Sequence, residues 1–414
     1  MSVDRIIRGG MVIDPFQGLH ELADVAVRDG KIAEIGKNIQ ADDTTESVDA
    51  TGKYVCPGLI DIHTHIYPFV TTWGVEADPT CLARGVTAPV DAGSSSWVTF
   101  DGFRELSVKR SKSRVFGFVH VGGLGLVYGP VGELHDMRYA APEETAECIL
   151  DNPDVTVGVK VRQGGMQVGE NGVEPLRMAV KAAELANSVV MVHIGSGVPL
   201  PDILGLMRAG DIVTHCYQGR GDTILDDGGK LLPEVIEARE RGIIFDVGHG
   251  AGSLKFDTVR AAFESHFFPD VISSDLHVLN HGGPVFDLIT TMSKFLHFGL
   301  DLHDVVEKTT VAAARSIGRQ DEVGSLAVGR DADIAILEIE DGEFDLMDTH
   351  ANVVTVSQLL KCAGVVRAGE VVQLEDFADY QGREPKPNEW KKMIRDLESV
   401  RPDVYARLKS QGKL

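Results

Sequence analysis

The chain is short of cysteine, of basic charge and of long apolar runs. Its five cysteines are odd in number, scattered, and contain no CxxC pair. That excludes a disulfide scaffold and suits a reduced, cytoplasmic protein. Forty basic residues face 62 acidic ones, for a formal net charge of -22. Such a field repels phosphate backbones and anionic lipid, so no nucleic acid and no membrane surface is an expected partner. The first 14 residues have no apolar signal-like core, and no apolar run approaches the ~18 residues of a membrane span. A GxGxxG after the first barrel-like strand is missing too, which removes the support for a dinucleotide site. What is present, 43% apolar, 25% charged and 6% aromatic residues, is ordinary globular composition and rules out disorder, collagen and coiled coil.

At ~150 residues per domain, 414 residues suggest two to three units. Short β runs open the chain, up to residue 57, with the acidic stretch Ala41–Asp49 read as a solvated loop. From Gly58 the texture changes to strands alternating with helical stretches. Eight strands are expected, at Leu59–His65, Val86–Ala92, Val115–Val121, Val155–Arg162, Val189–Ile194, Ile212–Cys216, Ile243–Gly248 and Val271–Asp275. Eight such repeats predict a closed (β/α)8 TIM barrel of the α/β class over residues 58–319. One helix is expected over Leu302–Ile317. β texture returns over 320–380, so both chain ends are expected to pair into one small β-sandwich domain, followed by a helical tail over 381–414.

Histidines and acids fall where a barrel keeps its chemistry, at the C-terminal ends of the strands. His63 and His65 alternate at the end of the first strand and so aim to one side. His193, His215 and Asp275 end the fifth, sixth and eighth strands. Any one histidine alone is as well explained by a hydrogen-bonded core position. Five metal-capable groups at the same end of four strands are not, and convergent imidazoles suit zinc. In Val155–Arg162 the valines at 155, 157, 159 and 161 share the outer face, which turns Thr156, Gly158, Lys160 and Arg162 toward the barrel axis. A lysine buried there costs several kcal/mol unless paired or neutralised. Burial depresses its pKa, and a neutral amine adds CO2 to give an anionic carbamate able to bridge two metals.

His63-Thr64-His65 after Pro57-Gly58-Leu59-Ile60-Asp61, followed in order by Lys160, His193, His215 and Asp275, resembles the amidohydrolase superfamily of binuclear metal hydrolases. Gly324–Leu337 is similar to the segment with which such chains return from the barrel to their β domain. The resemblance spans residues 1 to about 375. It implies two divalent ions, expected to be zinc, the first held by His63, His65 and Asp275 and the second by His193 and His215. A carboxylated Lys160 and a hydroxide would bridge them, and Asp275 would act as general acid/base. No arginine stands two residues after His65, where dihydroorotase-like members have one. No glutamate stands three residues after His193, where purine-type deaminases have one. The resemblance therefore favours the deacetylase-like subgroup, acting on N-acyl amino acids or O-acyl hydroxy acids, over a cyclic-amide hydrolase of the hydantoinase or dihydroorotase type. It also favours a homo-oligomer. His120, Tyr128, Arg162 and His249 are the candidate substrate contacts, with Arg162 or Arg220 suited to a substrate carboxylate. His277 and His281 are weaker candidates, and Asp91 is a candidate supporting acid.

Overall fold

The computed structural model describes residues 3–128, 132–380, 382 and 406. The expected helical tail over 381–414 lies almost wholly outside the described residues.

Seven parallel strands form one sheet: Leu59–Thr64 (β1), Val86–Ser96 (β2), Phe116–His120 (β3), Thr156–Gln163 (β4), Val190–Ile194 (β5), Ile212–Thr214 (β6) and Ile244–Asp246 (β7). Each pairs with the next along the chain, as right-handed strand–helix units require. The expected eighth strand closes the ring without a regular ladder. Single bridges join Asp246 to Val271 and Thr64 to Leu276, and the His65 N–H donates to the Leu276 carbonyl at 2.8 Å. Two causes are visible. Asp275 has φ of 50°, outside the extended region. Ser273 and Ser274 also bond inward, to Asp246 and Asp61. This segment thus serves the site more than the sheet.

Apolar side chains plug the barrel beneath its mouth, among them Ile60, Ile62, Val90, Phe118, Met191 and Ile212. Val159 and Val161 pack outward as expected. Val157 does not: the β3–β4 register shifts between Gly117 and Phe118 and turns Val157 into the plug. The expected helix over 302–317 is two, Leu302–Lys308 and Val311–Ser316. Between them the Thr309 carbonyl leaves the helix to accept from the Ile60 N–H of β1 at 2.8 Å.

The chain ends form a second sheet of eight strands, five from residues 5–57 and three from 334–371. Tyr54–Pro57 bridges the two halves, pairing with Arg5–Asp14 on one side and Ile334–Met347 on the other. Strands from the two ends of the sheet path share one apolar core. The turn at Gly30 also lies against that at Gly369, so the sheet curls onto itself. The acidic stretch is not all loop. Glu46–Asp49 runs parallel to Arg5–Arg8, with Glu46 ion-paired to Arg5 and Val48 against the core. Charge had masked a strand whose inward residue is apolar. Among the described residues no helix is long and apolar enough to cross a membrane.

Candidate metal centre

The strand ends bring the expected groups together. His63 and His65 point their Nε2 atoms at Asp275 Oδ1, at 3.4 and 3.0 Å. His215 Nε2 lies 2.7 Å from His193 Nδ1. Lys160 Nζ sits 3.4 Å from His63 Nε2, and the His63 and His215 ring centres are 5.1 Å apart. Both His215 and Asp275 have positive φ, 74° and 50°. Non-glycine residues held there are uncommon and cluster at functional sites.

Partners on the far sides of the rings fix which nitrogen faces inward. Thr214 Oγ1 donates its only proton to Asp246 Oδ2 (2.7 Å), so at 2.8 Å it accepts from His63 Nδ1–H. That leaves His63 Nε2 as a bare lone pair facing the centre. His215 Nδ1 donates to the Gly248 carbonyl at 2.6 Å, with the same result for its Nε2. His65 Nδ1 is held by Ser94 Oγ at 2.8 Å. Asp91, the expected supporting acid, accepts from the backbone N–H groups of Ser94 (2.6 Å) and Ile66 (2.9 Å). Such outer partners orient metal-binding imidazoles.

Burial sets the protonation. It holds His63, His65 and His193 well below the usual histidine range and brings His215 down to about 4, so the imidazoles are neutral at pH 7. Burial likewise pushes Asp61 and Asp246 up to about 7 and Asp91 to about 6. Lys160 is 1% exposed. Desolvation, opposed by Asp275 and aided by Arg162, draws its amine down to about 7. Its stem passes where Gly93 of β2 has no side chain: a Cβ there would stand 2.4 Å from Lys160 Cβ. Neutral nitrogen donors converging on a carboxylate, each oriented from behind, fit a divalent cation. His63, His65 and Asp275 offer ligand atoms within 4.8 Å of one another.

One wall of the centre escapes sequence reasoning. Trp73 lies edge-on to His65, stacks on His277 at 5.5 Å, and has the Arg162 guanidinium over its face at 5.0 Å. Glu133, 3% exposed, places Oε1 at 3.5 Å from both Arg162 Nε and His120 Nε2. Burial pushes its carboxyl up, but Arg162 and then His120 outweigh this and hold it below the usual range. Trp73 and Glu133 come from loops without periodicity, and nothing in their spacing marks them.

Among the other candidates, His120 and Arg162 join this wall. Tyr128 is 55% exposed and borders residues outside the described set. His249 is fully buried. Its Nδ1 is bonded to the Gly250 carbonyl at 2.9 Å and its Nε2 to Lys294 Nζ at 2.6 Å, which leaves no nitrogen for a substrate.

Residues 138–372 match the amidohydrolase family. The chain is 35% identical to a deacetylase of Agrobacterium fabrum over 83% of its own length and 85% of that protein. Its fold is similar to a crystal structure of an adenine deaminase, with TM-score 0.84 and 30% identity over 90% of this chain and all of that one. It is also similar to a crystal structure of a dihydroorotase, with TM-score 0.82 and 32% identity over 89% of this chain and 97% of that one.

Proposed function

The chain belongs to the amidohydrolase family of hydrolases, and on that premise we propose that it removes the acyl group from an N-acyl amino acid or O-acyl hydroxy acid. The observation that carries this is the convergence of His63, His65, Lys160, His193, His215 and Asp275 at one end of the barrel. His63, His65 and Asp275 would hold one divalent ion and His193 and His215 a second, with zinc favoured by the nitrogen donors. Such ions supply a nucleophile at neutral pH and polarise the scissile carbonyl.

This chain's residues do the rest. Lys160, its amine drawn down to about 7, is about half neutral at pH 7; that fraction would add CO2 at Nζ with loss of one proton, and the carbamate would supply an anionic oxygen donor to the centre. Asp275 takes the proton from the attacking water and delivers it to the leaving nitrogen or oxygen. Arg162 stands beside the centre, suited to a carboxylate on the leaving half. The likeness to deacetylases over most of the chain favours this reading above cyclic-amide hydrolysis. We further propose a barrel over 58–319, a small β domain over 1–57 and 320–380, a cytoplasmic location and the capacity to form a homo-oligomer.

Two measurements test it. Metal analysis of the purified chain should find up to two zinc-class ions. A panel of N-acetyl amino acids, acetylated hydroxy acids and hydantoins should show turnover of the first two classes. Lys160→Ala should lose both turnover and part of the metal. Turnover of hydantoins alone, or full activity in Lys160→Ala, would refute the reading.

A further inference from the structure

Five buried polar atoms beside the metal centre lack a hydrogen-bond partner among the described residues: Glu133 Oε1 and Oε2, Arg162 Nε and Nη1, and His120 Nε2. They belong to three side chains that are each at most 5% exposed. Glu133 Oε1 is ion-paired with Arg162 Nε and His120 Nε2 at 3.5 Å but hydrogen-bonded to neither, and buried polar atoms left in this way point to a ligand that completes them.

The chemistry of that ligand can be read from the trio. The Gly122 N–H donates to His120 Nδ1 at 2.9 Å, so the His120 proton sits on Nε2 and faces Glu133. With the Gln167 amide oriented so that its oxygen accepts from Arg162 Nη2 at 2.7 Å, Arg162 keeps Nε and Nη1 unspent. Three donor nitrogens thus stand beside one carboxylate, and 3.5 Å separates Glu133 Oε1 from both Arg162 Nε and His120 Nε2. The position is next to the reacting centre. Arg162 follows Lys160 by two residues on the same face of β4, and His120 lies opposite Lys160 in the β3–β4 register. The Arg162 charge is felt at His65, His193, His215 and His277.

We infer that Glu133, Arg162 and His120 form a specificity subsite for a leaving half that carries a carboxylate together with a hydrogen donor, the carboxylate meeting the Arg162 and His120 N–H groups and the donor meeting Glu133. This deepens the deacylase reading and rests on it. Glu133 sets the choice in two ways. An apolar side chain leaves its buried oxygens unpaired, a penalty that discriminates far better than shape alone. A second carboxylate meets like charge.

Three substrates of nearly equal shape separate these effects: N-acetylasparagine offers a donor, N-acetylleucine nothing and N-acetylaspartate an anion. The metal-loaded enzyme should favour the asparagine compound in kcat/KM by at least about tenfold over leucine, and by more over aspartate. Glu133→Gln, equal in shape and able to donate, should raise the aspartate-to-asparagine ratio at least about tenfold with metal content unchanged. A ratio within about twofold of wild type overturns the inference, as does a wild-type preference for leucine. If the wild-type enzyme turns over none of the three, the N-acyl amino acid arm of the deacylase reading is what fails. Calorimetric binding of free asparagine, leucine and aspartate then decides the subsite. The same order, changed by Glu133→Gln, supports it, and equal binding to both proteins removes it.

Discussion

At Thr214 a single hydroxyl proton decides how His63 presents itself. Replacing it by valine keeps the shape and removes the acceptor of His63 Nδ1–H. Thr214→Val should lower metal affinity about 10–100-fold, read by competition with a chelator. Asp275→Asn removes the group that moves the proton and should lower kcat about 10²–10⁴-fold on the preferred substrate. Ligand candidates of this kind are legible in the sequence because period-2 alternation fixes their direction and the barrel fixes their end. Lys160 stands out for the same reason, as a cation on a face that must point inward. Glu133 and Trp73 are illegible because a loop residue reaches a site through a path that local spacing does not encode. His249 misleads in the opposite way. It follows a strand end at the same mouth as the ligands, yet its ring turns to a lysine on a later helix, and only the packing of that helix reveals it.

Among the elements, the helix Leu288–His297 contributes most to the rim beyond its own packing. Its Lys294, fully buried, donates to the Pro284 carbonyl at 2.7 Å and is bonded to His249 Nε2. One amine thereby fastens the loop after Asp275 to the turn after β7. Lys294→Met leaves that carbonyl and that imidazole unpaired and should cost about 1–3 kcal/mol for each, visible as a lower denaturation midpoint. Strand order and most strand limits follow from apolar runs bounded by glycine and proline. The segment around Val271 reads as a strand from composition alone, and its departure from a ladder follows from inward-bonding serines and the backbone at Asp275. The break at Thr309 is equally hidden, since its carbonyl is drawn away by a strand 250 residues earlier.

For the whole molecule, charge burial makes stability depend on pH before any ion binds. The depressed pKa values of His63, His65, His193, His215, His249 and His277 mean that the unfolded chain takes up protons the folded chain refuses. Their contribution is complete above the ordinary 6.5 and shrinks as pH falls toward about 4, the folded value for His215 and His277. Asp61, Asp91 and Asp246 act with opposite sign, since their raised pKa values make the folded state the better proton binder in that window. Six groups outweigh three, so metal-free protein should lose stability from pH 6.5 to 4 in denaturant titrations. A flat profile would contradict the neutral, inward-facing imidazoles.

Tyr54–Pro57 completes its ladder only with Ile334–Leu337, nearly 280 positions later. At ~5–20 residues per second the ribosome needs about 14–56 s to deliver that partner. Throughout that interval the earliest strands wait with an open edge while the cylinder behind them is still being made. A nascent chain halted before residue 334 therefore leaves one edge of Tyr54–Pro57 unpaired, although its other edge already lies against Arg5–Asp14.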